Sequence, residues 1–416
     1  MILDIESYIW QSRKMFPASD ATYGEALKRS FAKDLEMLQL ISVIGWLDEL
    51  EVIKRLEGQP PPDSSWMKNR PIELALCSSA NLFPEIISLN HKTHIVYDLS
   101  LTDLYQQFQT ILILAQSQQP SCEDDNSPLS ELYFTMRALD SILCDDYILA
   151  DEYMMKAYRQ GLKNKIDKQG FPAVHTVATK LSYYMSLFTI YHESGHIALA
   201  HSRSSLFIHH EAFLTAYNRA VSFFNEMKEY RPCMGHEQYS VLKQDFVPGD
   251  YDAFLSAAQN ALHGDEHLIN EILCDCHAAT VLMDFRLPTE PTWIQEYSLP
   301  LAPLWALSLL RDIDFMYNRL NPQTGNDVLL RSTVLQSYIY NILPDNHPLR
   351  LHYRHREDQF GYQVLMQNSG VFQQLKRLKK EDAEYLKRYR ACNRQDRPKK
   401  QQEMKDLIYE HFGFKN

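Results

Sequence analysis

Apolar residues recur every three or four positions over most of this chain, the period of a helix that buries one face. The pattern predicts helices at Tyr23–Leu56, Leu101–Ala115, Leu129–Leu143, Tyr147–Asn164, Lys180–Ser202 and Glu211–Tyr230. Three more are predicted: one from an Asp265 cap through Glu271 to about Phe285, then Pro300–Leu320 and Asp327–Leu343. Gly58 and Pro60-Pro61-Pro62 stop the first, Pro288 follows the Asp265 helix, and Asn321-Pro322 splits the last two. Only Ile72–Cys77 and Thr93–Asp98 read as strands, the second being β-rich and bounded by polar residues. The expected fold is therefore mainly α, of α+β class, with a small β-sheet.

Breaks in this pattern divide the chain. Gln116–Pro128 is a polar, proline-containing stretch that reads as a loop or seam, and Gln169-Gly170-Phe171-Pro172 as another. Arg231–Gly235 and Pro248-Gly249-Asp250 read as loops within a long insertion. We expect a mostly helical N-terminal region at 1–169, a core at 170–365 and a basic amphipathic helical tail at 366–416.

Composition narrows the function classes. Across 416 residues, 45% are hydrophobic and 23% charged, ordinary for a folded globular chain. Thirteen glycines are too sparse for a nucleotide-binding fingerprint, and no P-loop or zinc finger appears. Seven cysteines at irregular spacing do not form a disulfide framework. No apolar run is long enough to span a bilayer, and Met1-Ile2-Leu3-Asp4-Ile5-Glu6 lacks the basic start of a secretion signal. A cytoplasmic location is the expectation. The net charge of −11 makes nucleic acid an unlikely partner overall. The exception is Val371–Asn416, where 13 Lys and Arg face 7 Asp and Glu. Leu375, Leu378, Tyr385, Leu386 and Tyr389 recur there at helical intervals, the pattern of a helix docked on its own protein.

The chemistry is concentrated in His192-Glu193-Ser194-Gly195-His196, which falls inside the Lys180–Ser202 helix. Residues four apart on a helix share a face, so both imidazoles can bind one Zn²⁺, and Glu193 is placed to act as a base on a water in the open coordination position. A third histidine in an HExxHxxGxxH arrangement is missing, because Leu199 and Ser202 hold the places of its Gly and His. His209-His210-Glu211 is one alternative source of a ligand. Glu271 is better placed, with Asp275 one turn further along the same helix. One carboxylate can reach the metal while the other accepts the remaining ring N–H of a ligand histidine. Cys274 and Cys276 flank Asp275 and read as small buried residues shaping its pocket.

At these residues the chain resembles the gluzincin metallopeptidases. Thermolysin-like members follow HExxH with Asn-Glu-x-x-x-Asp, as Asn270, Glu271 and Asp275 do here. The CAAX prenyl protease and HtpX family follows it with Glu-x-x-x-Asp-x-x-Ala and then a His-Pro segment with a downstream Arg. Here those are Glu271, Asp275 and Ala278, then His347-Pro348 with Arg350 and Arg354. That family has membrane helices, which this chain lacks; the soluble Lit and ImmA-type proteases are more distantly similar. The resemblance implies a zincin-like helical core, one zinc per chain held by His192, His196 and Glu271, Glu193 as general base and Asp275 behind the ligands. The oxyanion donor is then His347, which is similar to that family's His-Pro position, or else Arg350, Arg354 or a tyrosine of the insertion. The Thr93–Asp98 strand is then the candidate edge that receives substrate as an added strand, the alternative being an ordinary core strand. The expected function is a zinc-dependent endopeptidase acting on a protein or peptide substrate inside the cell; the alternative is a zinc-stabilised protein-interaction module without catalysis.

Overall fold

In the computed structural model the described residues are 4–14, 21–44, 71–117, 128–163, 172–229, 264–286, 298–317, 322–354, 362–392 and 397–412. Thirteen helices and one three-stranded mixed sheet make up these segments. Helices α1 (Ile5–Arg13) and α2 (Ala21–Ile44) precede strands β1 (Ile72–Cys77), β2 (Glu85–Leu89) and β3 (Lys92–Asp98). Then come α3 (Leu99–Ser117), α4 (Pro128–Leu143), α5 (Tyr147–Lys163), α6 (Pro172–His201) and α7 (His210–Glu229). The remainder is α8 (Glu266–Arg286), α9 (Leu299–Met316), α10 (Pro322–Ile342), short α11 (Pro348–His352), α12 (Tyr362–Cys392) and α13 (Arg397–Phe412). The predicted Tyr23–Leu56 helix is seen to Ile44; its remainder, the Pro60 run, the Arg231–Gly235 and Pro248–Asp250 loops, Gln169–Phe171 and most of Gln116–Pro128 lie outside the described residues.

Helix α6 is the centre of the molecule. Its apolar residues point in every direction, with Tyr184, Met185, Leu187, Phe188 and Ile190 all buried, and it packs against α3, α8 and α9. Such a helix must also satisfy its buried hydroxyls. Ser186 meets Thr102 at 2.7 Å and Thr189 meets Tyr105 at 3.1 Å, both partners being on α3. One hydrophobic core runs through these elements from Leu27 to Leu378.

The sheet differs from expectation in one strand and in its order. Strand β3 lies in the middle, parallel to β1 and antiparallel to β2. Thr93–Asp98 is therefore not an edge: both sides of its backbone are already paired, and it cannot accept an added strand. The edges are β1 and β2. The unanticipated β2 is joined to β3 by a two-residue turn in which Asn90 and His91 both have positive φ, 50° and 65°. Both central residues of a type I′ turn need that conformation.

Two buried ionic clusters join distant parts of the chain. Asp34 of α2 accepts from Tyr191, the residue before His192, and from Arg286 at the end of α8. Asp382 of α12 accepts from Tyr133 at 3.2 Å, Tyr153 at 2.6 Å and Arg137 at 3.2 Å, which holds the basic tail against α4 and α5. The tail is thus docked on its own protein through Phe372, Leu375 and Tyr389, as its apolar spacing predicts.

Candidate metal centre

His192 and His196 lie one turn apart on α6 with ring centroids 4.8 Å apart, and their Nε2 atoms converge to 3.1 Å. Helix α8 brings in the third group. Its N-terminus is fixed by Asp265, whose carboxylate accepts from Leu268 N at 3.1 Å, as its position in the sequence predicts. The two helices approach closely because position 195 is glycine: a Cβ there would lie 3.1 Å from Cys274 Cα and 3.2 Å from its Cβ. That contact sets Glu271 beside the histidines, with Oε2 3.3 Å from His192 Nε2 and Oε1 3.2 Å from His196 Nε2.

The three groups fit a divalent metal. Their ligand atoms all lie within 4.8 Å of one another. Around zinc, bonds of ~2.0–2.1 Å at tetrahedral angles separate neighbouring ligand atoms by about 3.3 Å. Here the two Nε2 atoms are 3.1 Å apart, and each histidine meets a different oxygen of Glu271, His196 at 3.2 Å from Oε1 and His192 at 3.3 Å from Oε2. Two imidazoles and one carboxylate are also the donor types that zinc takes in hydrolytic sites. Three donors leave a fourth position open.

Behind the triad is a layer of fixed charges. Asp275, fully buried, places Oδ1 2.8 Å from His192 Nδ1, on the side of the ring away from Glu271. Its two oxygens also receive Arg331 of α10, Nε at 2.7 Å and Nη2 at 2.8 Å. The remaining guanidinium nitrogen reaches Glu271 Oε2 at 2.9 Å. Cys274 Sγ lies 3.4 Å from His196 Nδ1, so each ligand histidine has a partner on α8. His277 closes the layer: Phe207 N–H donates to its Nδ1 at 2.9 Å, which leaves Nε2 protonated and 3.3 Å from Ser194 Oγ.

These contacts explain the proton affinities. Burial opposes a charge on His192, but Asp275 and Glu271 outweigh it and raise its pKa to about 10. Burial likewise opposes charge on Glu271, yet His192, His196 and Arg331 hold it well below the ordinary carboxylate range. His277 has no carboxylate beside it; burial, helped by repulsion from His192, lowers it to about 3 and keeps it neutral. Glu193 is raised by burial, with His192 and His196 pulling the other way. Metal and proton compete for the same imidazole nitrogens, so metal binding here would release a proton.

The other expected residues are used elsewhere. His347 caps α11, its Nδ1 accepting from Leu349 N at 3.2 Å. Arg350 donates to Leu343 O at 2.6 Å and pairs with Asp345 at 3.0 Å. Leu343 lies twelve residues beyond Arg331, roughly 18 Å along α10 and its end. Tyr338, between them, contacts Thr280 of α8, past Asp275 and away from Glu271. His347 and Arg350 are therefore at the far end of α10, and the expectation that one of them stands over the metal is corrected. Arg354 is exposed just after α11, and His355 and Arg356 lie outside the described residues. His209 pairs with Asp284 at 3.1 Å, nine residues or about 14 Å of helix past Asp275, which rules it out as a ligand. His201 is exposed at the last position of α6.

Arg331 is the residue that sequence reasoning missed. It lies 56 positions from Asp275, and no short motif links them. The available signal was chemical: two carboxylates on one face of a mostly apolar helix require a buried cation. No protein-family model, curated protein or solved structure matches this chain.

Proposed function

We propose that this chain is a zinc-dependent endopeptidase of gluzincin type, cutting a protein or peptide substrate. The observation that carries the reading is the His192–His196–Glu271 triad, whose ligand atoms lie within 4.8 Å of one another, with Glu193 on the same turn of helix as the two histidines. Bound zinc supplies a Lewis acid for a carbonyl and lowers the pKa of a water. Glu193, whose carboxylate has no hydrogen-bond partner among the described residues, would accept a proton from a water there and pass it to the leaving amine. Its burial raises its basicity. Asp275, with Oδ1 2.8 Å from His192 Nδ1, is placed to accept that nitrogen's N–H and leave Nε2 for the metal. A closed structural site would need a fourth protein ligand and would have no use for a base at position 193.

The test is a comparison of wild type with Glu193→Gln, which removes the base and leaves the ligands. Both proteins should contain one zinc per chain by elemental analysis. Only wild type should produce new protein termini in cells expressing it, read by terminal-amine mass spectrometry. Identical termini in both would overturn the peptidase reading; absence of bound metal in both would overturn the metal reading.

A further inference from the structure

We propose that Arg331 is a positioning residue that restricts Glu271 to binding metal through one oxygen, which keeps the fourth coordination position open; this rests on the metal reading above. All three guanidinium nitrogens are engaged by two carboxylates one turn apart on α8. Nε and Nη2 take both oxygens of Asp275 at 2.7 and 2.8 Å, and Nη1 takes Oε2 of Glu271 at 2.9 Å. Asp275 is fully buried and the Arg331 side chain is 15% exposed, so the fork is anchored and cannot swing away.

The consequence follows from how carboxylates bind metals. A free carboxylate can offer one oxygen or two, and the second fills a position a water would otherwise take. An oxygen already accepting a charge-assisted hydrogen bond is the poorer donor. Oε2 is that oxygen, which leaves Oε1, on the His196 side, to the metal. Charge points the same way. Glu193, Glu271 and Asp275 bring three negative charges to the site, and a divalent cation with Arg331 balances them. A lysine would supply the charge but not the planar fork that spans two carboxylates.

Cobalt(II), loaded in place of zinc, reads this directly, because its visible bands lose intensity as coordination rises from four to five. Wild type should show strong four-coordinate bands. Arg331→Gln should show weakened bands, with metal affinity about 10–100-fold lower in a chelator competition. Arg331→Lys should recover part of the affinity while its bands stay weak. A folded R331Q protein with wild-type bands, losing only thermal stability, would show that Arg331 merely neutralises Asp275 and would overturn the proposal. Should R331Q fail to fold by circular dichroism, R331K decides: weak bands support the proposal, and wild-type bands overturn it. Failure of wild type to bind cobalt or zinc removes this inference together with the metal reading. The expected cobalt response in a protein that cleaves nothing leaves it standing and sinks only the peptidase reading.

Discussion

Gly195 and Cys274 mark the point where the helices carrying the candidate ligands touch, and their contact is what lets Glu271 reach the histidines. A methyl group at 195 would sit 3.1 Å from the Cys274 Cα, a backbone atom that can yield only by moving α8. Alanine is favoured over glycine in a helix by about 1 kcal/mol, so the clash is offset in overall stability but not in the site. Gly195→Ala should therefore keep its helix content and melt within a few degrees of wild type. Its zinc affinity should fall about tenfold or more, measured by chelator competition, since ligand separations of 3.1–3.3 Å tolerate little displacement.

Ligand identity can be separated from mere histidine content. His192→Ala, His196→Ala and Glu271→Ala should each lose most bound zinc on elemental analysis. His201→Ala, His209→Ala and His347→Ala should retain it. His209→Ala should instead lower the melting temperature, because buried Asp284 would lose its contact with the His209 ring. Zinc retention in the Glu271 variant would show that the triad has the wrong third member.

Most helices were legible because their apolar faces repeat over many turns. Ile72–Cys77 was found to the residue, while β2 was missed for two local reasons. It is only five residues long, and its turn is Asn90-His91 rather than the Asn-Gly that usually announces a hairpin. The central place of β3 was not legible: Thr93–Asp98 is buried at every position, yet Thr93, His94 and Asp98 are polar, so no continuous apolar run marks a strand covered on both faces.

The site was legible where its logic is local. His192 with His196, and Glu271 with Asp275, are i, i+4 pairs that any helix places on one face. Arg331 was not, since a lone arginine on a distant helix carries no mark of its partner. His347-Pro348 misled for a complementary reason. A hydrogen-bonding residue followed by proline also starts a helix, one capping it and the other occupying its first position, and that is the role these residues have.

Asp275 tests the layer behind the ligands. Replacement by Asn keeps the shape but removes a charge shared by His192 and Arg331. Loss of an oriented partner behind a metal-bound histidine costs about 10–100-fold in metal affinity or activity. Breaking a buried ion pair from one side costs roughly 3–5 kcal/mol, and Arg331 keeps Glu271 as a second partner, so the lower end is expected. Urea unfolding of the zinc-free Asp275→Asn protein should show that loss in stability. An unchanged midpoint alongside unchanged zinc affinity would mean that Asp275 does neither job.

Asp98, at the end of β3, offers a test of the scaffold away from the metal. Burial raises its pKa from 3.8 to about 6, against the opposing pull of Ser79, Arg13 and Ser100. The folded chain therefore holds this proton more tightly than the unfolded chain does. Its contribution to stability is full below about pH 3.8 and is lost as pH rises through about 6. That difference in proton affinity corresponds to about 3 kcal/mol. Asp98→Asn cannot titrate, and its amide oxygen can still accept from Ser100 N, which Asp98 meets at 2.9 Å. Chemical unfolding of both proteins at pH 7.5 and pH 4 isolates the effect from every other titrating group. The wild type should gain about 2–3 kcal/mol on the variant as pH falls between these values. A constant difference at the two pH values would mean that Asp98 is paired well enough, through Arg13 at 3.9 Å and Ser79, to stay ionised like an exposed carboxylate.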